Sequence, residues 1–274
     1  MSDLKQAIKQ NYVKCANDPS YFINQYCTIQ HPQRGKIKFR LYDFQYDVLD
    51  EYQKNDYNVI LKSRQLGIST LSAAYSLWMM LFQNDKNILV IATTKDTAKN
   101  LITKVRIMYE GLPAWLKTAI VENNKLSLIF KNGSQIKAIA SNESAGRSEA
   151  LSLLILDEAA FIEKIDVIWT AAQQTLATGG KCLAISTPNG VGNWFHKTWI
   201  DATDGLNKFN TVKLHWSCHP ERGQDWRNEQ DKVLGPSQAA QECDADCLTS
   251  GQSVVDPAIL TCLELISNVP LLKE

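Results

Sequence analysis

Two adjacent carboxylates, Asp157 and Glu158, follow the apolar segment 151–156 (LSLLIL). Such a segment is typical of a central strand that is covered on both faces. A carboxylate beside apolar surface is costly unless a cation or a proton-transfer task holds it there. We therefore interpret the pair as a Walker B motif, in which Asp157 binds Mg²⁺ and Glu158 polarises the water that attacks a γ-phosphate. The alternative is that the pair only caps the helix that follows.

A second polar segment lies between a predicted strand at residues 58–61 and a predicted helix at residues 69–82. Backbone N–H groups at the start of a helix bind phosphates, so this turn is a candidate phosphate loop. The usual pattern G-x4-G-K-[ST] would place lysine at position 68, but this chain has Ile68 there and Lys62 at the position of the first glycine. An ordinary strand-to-helix turn with solvated basic residues is the alternative.

The side chains of this loop indicate a division of roles. Lys62 can supply the ammonium that position 68 lacks, Arg64 can stabilise charge on the γ-phosphate, and Ser69 can bind Mg²⁺. The predicted nucleotide-binding residues of the loop are Lys62, Ser63, Arg64, Gln65, Leu66, Gly67, Ile68, Ser69 and Thr70.

A third polar segment, STPNG at residues 186–190, ends another apolar run at residues 181–186. The hydroxyl and amide groups of Ser186, Thr187 and Asn189 can hydrogen-bond a γ-phosphate or the Walker B carboxylate. We expect these residues to couple the nucleotide state to neighbouring segments. A plain Pro-Asn-Gly turn is the alternative.

An upstream glutamine, Gln45, is a candidate for contact with the base. Its amide offers both a donor and an acceptor, which reading an adenine edge requires. Tyr42 or Phe44 would then stack on the ring.

Basic residues alternate just before this glutamine, at Arg34, Lys36, Lys38 and Arg40. They can contact DNA phosphates, although a solvated strand face explains the same pattern.

The elements that position these residues alternate between strand and helix, which predicts a mainly parallel sheet. Ligands of such sheets bind beyond the carboxyl ends of the strands, and all three polar segments lie at predicted strand ends. Asn132-Gly133 predicts a hairpin turn between strands at residues 127–130 and 135–140. The other predicted strands and helices are 58–61, 87–92, 151–156 and 181–186, and 69–82, 165–176 and 193–202, with a further helix ending near residue 109.

Length and composition are those of a globular α/β domain with perhaps a small appendage. The 274 residues contain 29 Lys and Arg against 29 Asp and Glu, so bulk charge does not indicate a nucleic-acid partner. The seven cysteines are odd in number and scattered, which favours reduced thiols in the cytoplasm. No apolar run approaches the length of a membrane span, and no membrane association is expected.

Four motifs in order, F-x-L-x-D-F-Q, LKSRQLGIST, LSLLILDEAAF and ISTPNGVGNWF, resemble those of the large terminase subunit of tailed bacteriophages. The segments WSCHPERGQDWRNEQ and PSQAAQECDADCLTSGQSVVD resemble the second ATPase subdomain of that family and the passage into its nuclease domain. The likeness covers most of the chain.

The resemblance implies a Mg²⁺-dependent ATPase that drives double-stranded DNA through a portal into a procapsid. It implies a homo-oligomeric ring on the portal, a small terminase subunit as partner, and a place in the host cytoplasm rather than in the mature virion. Residue by residue, it gives Gln45 the reading of adenine, Arg64 a catalytic role in the loop, and Arg147 the role of an arginine finger offered to a neighbouring subunit. A surface arginine is the alternative for Arg147.

The expected fold is an α/β P-loop NTPase of the ASCE type, with a central parallel sheet and a small helical lid. We expect the ATPase core with a helical cap at residues 1–205, the lid at 206–248, and a hinge into a nuclease domain at 249–274. Nuclease activity is not assigned to this chain. A helicase-like nucleic-acid remodelling ATPase, or a nucleotide-binding scaffold weakened by the isoleucine at position 68, are the competing hypotheses.

Overall fold

The computed structural model describes residues 2–141 and 150–247. An eight-stranded sheet forms its centre, and a separate two-stranded ribbon lies near the N-terminus. The strands are β1 (Thr28–His31), β2 (Gly35–Lys38), β3 (Tyr57–Lys62), β4 (Asn87–Ala92), β5 (Ile120–Asn123), β6 (Ser127–Phe130), β7 (Gln135–Ala140), β8 (Leu153–Asp157), β9 (Lys181–Ser186) and β10 (Asn210–Leu214).

Helices cover both faces of the central sheet. They are α1 (Ser2–Asn17), α2 (Pro19–Tyr26), α3 (Asp43–Lys54), α4 (Ile68–Phe82), α5 (Lys95–Glu110), α6 (Ile165–Leu176), α7 (Trp194–Thr203), α8 (Gln224–Leu234) and α9 (Pro236–Cys243). None of the helices within the described ranges is both long and apolar enough to cross a membrane.

The strand order is β10-β3-β9-β8-β4-β7-β6-β5. The six strands from β10 to β7 are parallel, and β6 and β5 continue the sheet antiparallel. Because β9 lies between β3 and β8, the strand that leads into the phosphate loop and the strand that carries the two carboxylates are not neighbours. This insertion is the arrangement of the ASCE type, and it confirms the predicted fold class.

The central strands are buried on both faces, so their residues divide between two cores. Ile60 belongs to the core that contains α4 and α5, whereas Val59 and Leu61 belong to the core that contains α6 and α7. This double coverage explains why these strands are continuous apolar runs without alternation.

Two features differ from the sequence-based expectation. The predicted hairpin is not a separate ribbon, because β7 pairs in parallel with β4 and extends the main sheet. The region from residue 206 also begins with an edge strand of that sheet, β10, before its helices α8 and α9.

Candidate functional site

Three strand ends bring the predicted polar segments together. Strands β3, β9 and β8 are adjacent and parallel, so their carboxyl ends share one edge of the sheet. Lys62, Ser186 and Asp157 are the last residues of these strands. The segments predicted for phosphate, coupling and metal therefore form one site.

The phosphate loop depends on a glycine at position 67. Gly67 has φ +73°, in the left-handed region that other residues rarely adopt, and it precedes the first turn of α4. A Cβ at this position would lie 2.9 Å from Nε2 of Gln45. Gln45 is buried, and its Nε2 donates to the Leu66 carbonyl at 3.0 Å. The glutamine thus holds the loop from behind.

Ile68, which stands where a phosphate-loop lysine is usual, is buried in the hydrophobic core. An ammonium at this position would have to leave that core to reach a phosphate, whereas isoleucine fills it. The cationic role passes to Lys62, whose side chain is only 6% exposed and lies at the site.

The ammonium of Lys62 contacts the predicted catalytic carboxylate. Its Nζ donates to Glu158 Oε1 at 3.0 Å, and the backbone N–H of Thr187 donates to Glu158 Oε2 at 3.3 Å. Glu158 has φ +55°, an unusual conformation for a glutamate that is typical of functional sites. Both oxygens of this carboxylate are therefore held by residues from the other two strand ends.

The second carboxylate pairs with the hydroxyl predicted to bind Mg²⁺. Ser69 Oγ donates to Asp157 Oδ1 at 2.9 Å. Burial raises the pKa of Asp157, and the neighbouring Glu158 raises it further, while the Ser69 hydrogen bond, Lys62 and Lys104 oppose the change. A carboxylate under such strain gains from a nearby cation.

Lys104, on α5, belongs to this electrostatic group although sequence reasoning did not find it. Burial lowers the pKa of the Lys104 ammonium, and Asp157 raises it. Its position on the face of α5 that packs towards the site carries no sequence motif, so no local signal distinguishes it from the other lysines of that helix.

The predicted coupling segment contacts the Walker B turn. The backbone N–H of Ala160 donates to Ser186 Oγ at 3.1 Å, and Asn189 Nδ2 donates to the Ala160 carbonyl at 3.1 Å. With the Thr187 contact to Glu158, the segment is bonded to both residues that follow the Walker B aspartate and flank its turn.

Gln45 also begins a helix. Its Oε1 accepts from the Tyr42 backbone N–H at 3.2 Å, at the start of α3. Tyr42 stacks on Phe44, with ring centroids 5.9 Å apart, and contacts His219 at 4.6 Å. The aromatic side chains predicted to stack on a base therefore lie against the region beyond β10, and the reading of adenine by Gln45 stays a prediction.

The chain beyond β10 folds over the phosphate loop. Arg64 Nη1 lies 3.1 Å from Glu242 Oε1, and the Arg64 backbone N–H donates to the Glu242 carbonyl at 2.7 Å. The guanidinium of Arg222 donates to the carbonyls of Arg64 and Gln65 at 2.9 and 3.0 Å. These contacts, made by residues with no recognisable motif, were not predicted.

Arg227 joins the two helices of this region. Its guanidinium donates twice to the carboxylate of Asp244, each time at 2.8 Å, and also contacts Asp231. The hydrogen bond to Arg227 lowers the pKa of Asp244. The end of α9, which carries Glu242, is thereby fixed to α8.

The remaining predicted residues are placed as follows. Ser63, Gln65, Leu66 and Thr70 lie in the loop or in the first turn of α4. Arg147 lies outside the described residues, and so does the segment 249–274.

A model of the family described as terminase large subunit, T4likevirus-type, N-terminal, matches residues 59–254. The Mu-like prophage FluMu protein gp28 of Haemophilus influenzae is 25% identical over 170 residues, which cover 57% of this chain and 33% of that protein. The chain therefore spans about a third of the length of this relative.

Solved structures share the fold. The large terminase ATPase domain of Thermus phage P74-26 is 21% identical with a TM-score of 0.62, covering 76% of this chain and 94% of that one. The HK97 bacteriophage large terminase is 19% identical with a TM-score of 0.67, covering 85% and 55%. The large terminase of another thermophilic bacteriophage, solved in complex with ADP, is 16% identical with a TM-score of 0.59, covering 74% and 52%.

Proposed function

Because this chain belongs to the family of T4-like terminase large subunits and matches its N-terminal part, we propose that it is the ATPase of a phage DNA-packaging motor. The observation that carries the proposal is the meeting of Lys62, Glu158 and the Ser69–Asp157 pair at three adjacent strand ends. In this proposal the substrate is ATP, and the energy of its hydrolysis moves double-stranded DNA into a procapsid.

The Ser69–Asp157 pair fits Mg²⁺. Both groups offer oxygen atoms, which this ion prefers, and Mg²⁺ is usually held by one or two protein groups together with substrate phosphates. When bound, the ion would neutralise charge on the β- and γ-phosphates. Asp157 is buried with a raised pKa, so a cation beside it would favour the ionised carboxylate.

Glu158 is proposed as the group that polarises the attacking water. Its contact with Lys62 keeps the carboxylate ionised but occupies the lone pairs that a water would use. An ATP phosphate competes for the same ammonium, so nucleotide binding draws Lys62 towards the phosphates and frees Glu158 to accept a proton. The hydrogen bond from the Thr187 backbone would keep the carboxylate oriented during this exchange.

Arg64 is proposed to move between a carboxylate and the substrate. The Arg64 side chain is 66% exposed and pairs with Glu242, whose side chain is 12% exposed. A γ-phosphate would attract the same guanidinium, and release of Glu242 would loosen α9 from the loop. We propose residues 206–248 as a lid that senses nucleotide in this way, with residues 1–205 as the ATPase core.

The remaining roles rest on the family. We propose that Gln45 contacts adenine, that Ser186, Thr187 and Asn189 couple the site to the rest of the motor, and that Arg147 completes the site of a neighbouring subunit. The partners would be duplex DNA, the portal protein and the small terminase subunit, with the chain acting as a ring in the host cytoplasm and at the procapsid portal. Residues 249–274 would lead towards a nuclease domain.

Measuring ATP turnover and DNA movement on the same preparation tests the proposal. Mg²⁺-dependent hydrolysis, with displacement of a third strand from a DNA triplex but no separation of a duplex, is the expected result for the portal-assembled protein. Duplex separation would instead support the helicase-like alternative. Tight ATP binding without hydrolysis would support a nucleotide-binding scaffold.

A further inference from the structure

The ribbon formed by β1 and β2 carries an unusual charge pattern. The segment 27–42 contains four Lys and Arg and no Asp or Glu, in a chain with 29 of each sign. All four basic side chains, Arg34, Lys36, Lys38 and Arg40, are exposed. The segment is thus a local positive patch on a protein without net charge.

The ribbon sorts its side chains by face. Ile29 pairs with Ile37, whereas Gln30 pairs with Lys36 and Thr28 pairs with Lys38. Directly paired residues share a face, so both lysines stand on the face opposite to the isoleucines. That face is polar, and no carboxylate neutralises it within the ribbon.

Two of the four basic side chains have no partner in the described part of the chain. Lys38 and Arg40 donate to the carbonyls of Gln25 and Asn24, which ties the ribbon to α2. Arg34 and Lys36 make neither a hydrogen bond nor an ion pair through their side chains with any described residue. Their charges are available to a ligand.

A cavity of about 330 Å³ lies between the ribbon and α5. It contains one ammonium, Lys104, and no carboxylate. Lys104 is half-buried, and its side chain makes no hydrogen bond with the residues that the structure describes. The residues that line the cavity are Thr28, Ile29, Gln30, Thr70, Asn100, Thr103, Lys104, Ile107 and Met108.

We propose that this ribbon and cavity bind the phosphodiester backbone of duplex DNA, with Arg34 and Lys36 on one group of phosphates and Lys104 on another. Gln30 lines the cavity and is the cross-strand partner of Lys36, so the exposed charge stands at the cavity mouth. Hydroxyl, amide and ammonium groups without carboxylates suit a phosphate, and a two-stranded ribbon suits a duplex groove.

The inference rests on the proposed function, since it names the surface through which such a motor would hold its DNA. It also links that surface to the nucleotide. Thr70 lines the cavity, and the preceding residue, Ser69, bonds the Walker B aspartate. A DNA phosphate at Lys104 would therefore lie beside the first turn of α4.

Binding of a labelled 30-base-pair duplex, followed by fluorescence anisotropy over a range of salt concentrations, tests the proposal. Each phosphate contact contributes a slope of about −0.9 to the logarithmic salt dependence, so losing one lowers the affinity about eightfold at roughly 0.1 M salt. The double variant Arg34→Gln/Lys36→Gln should bind about 60-fold more weakly, with a slope reduced by about 2. Lys104→Gln should lose about eightfold.

The control is Lys197→Gln/Lys208→Gln, which removes two exposed lysines elsewhere on the surface. It should bind DNA within about twofold of the unmodified chain. Equal losses in the ribbon variant and the control, or no DNA binding by the unmodified chain, would overturn the inference.

ATP turnover without DNA, measured on the same samples, separates the two proposals. Arg34→Gln/Lys36→Gln should hydrolyse ATP like the unmodified chain. Turnover together with an unchanged affinity of the ribbon variant for DNA refutes the DNA site alone. A lost ribbon contact in a chain that never hydrolyses ATP refutes the proposed function and leaves the DNA site standing.

Discussion

Replacement of Lys62 by methionine tests whether this lysine has taken over the role of the missing one at position 68. Methionine keeps the length and fills the space of a side chain that is only 6% exposed. A hydrogen bond to a charged group contributes about 1.5–3 kcal/mol. ATP must first break the Lys62–Glu158 pair, which offsets about 0.5–1 kcal/mol because Glu158 is partly exposed. The net loss of about 1–2 kcal/mol corresponds to a dissociation constant for ATP raised about 5-fold to 30-fold.

Isothermal titration calorimetry with Mg²⁺ and ATP measures this constant directly. The matched control is Lys54→Met, which removes an exposed lysine on α3 that pairs with Asp50. Both variants should show the circular dichroism of the unmodified chain. If Lys62→Met binds ATP as tightly as Lys54→Met does, the lysine has not been relocated and the reasoning is wrong.

Three further predictions concern the ring, the lid and the core. Arg147→Ala should abolish hydrolysis stimulated by assembly while keeping ATP affinity, and mixing it with Glu158→Gln subunits should restore some turnover; a mixture that assembles but stays inactive contradicts the finger. Arg227→Met should lower the free energy of unfolding by about 2 kcal/mol in urea titrations, against less than about 0.5 for the exposed Lys232→Met, and because the Arg227 hydrogen bond lowers the pKa of its carboxylate partner, this difference should fade as pH drops through that pKa. Thr28→Val should raise the melting temperature, since the buried Thr28 hydroxyl has no hydrogen-bond partner among the described residues and replacing it relieves about 1 kcal/mol; an unchanged or lower value would mean that the hydroxyl is satisfied in solution.

The core elements were predictable because they are long apolar runs with clear ends. Strands β4 and β9 and helix α6 have the predicted bounds, and the strand ends gave the candidate site. Asn132-Gly133 identified the turn between β6 and β7, and Gly133 has φ +81° there. Burial on both faces leaves a strong signal in the sequence.

Edge elements were less accessible to this reasoning. Strand β10 is mostly half-buried and includes Asn210 and Lys213, so it has neither an apolar run nor clean alternation. Strand β5 is largely exposed. Pairing with a neighbouring strand, rather than local composition, determines both.

The partners of the site residues were also beyond local patterns. Lys62 and Glu158 are 96 residues apart, and only the strand order brings them within 3.0 Å. Glu242 and Arg222 reach the phosphate loop from segments whose sequences carry no chemical motif of their own. Sequence reasoning identified which residues act, and the topology determines what they contact.

The most direct test of the central claim is steady-state hydrolysis of ATP with Mg²⁺ by the unmodified chain and by Glu158→Gln, with ATP affinity measured on both. Glutamine keeps the size of the side chain and removes the base. The account predicts nearly equal dissociation constants and a turnover at least about 100-fold lower in the variant. Equal turnover in the two proteins would contradict it, because the Walker B carboxylate would then have no part in the reaction.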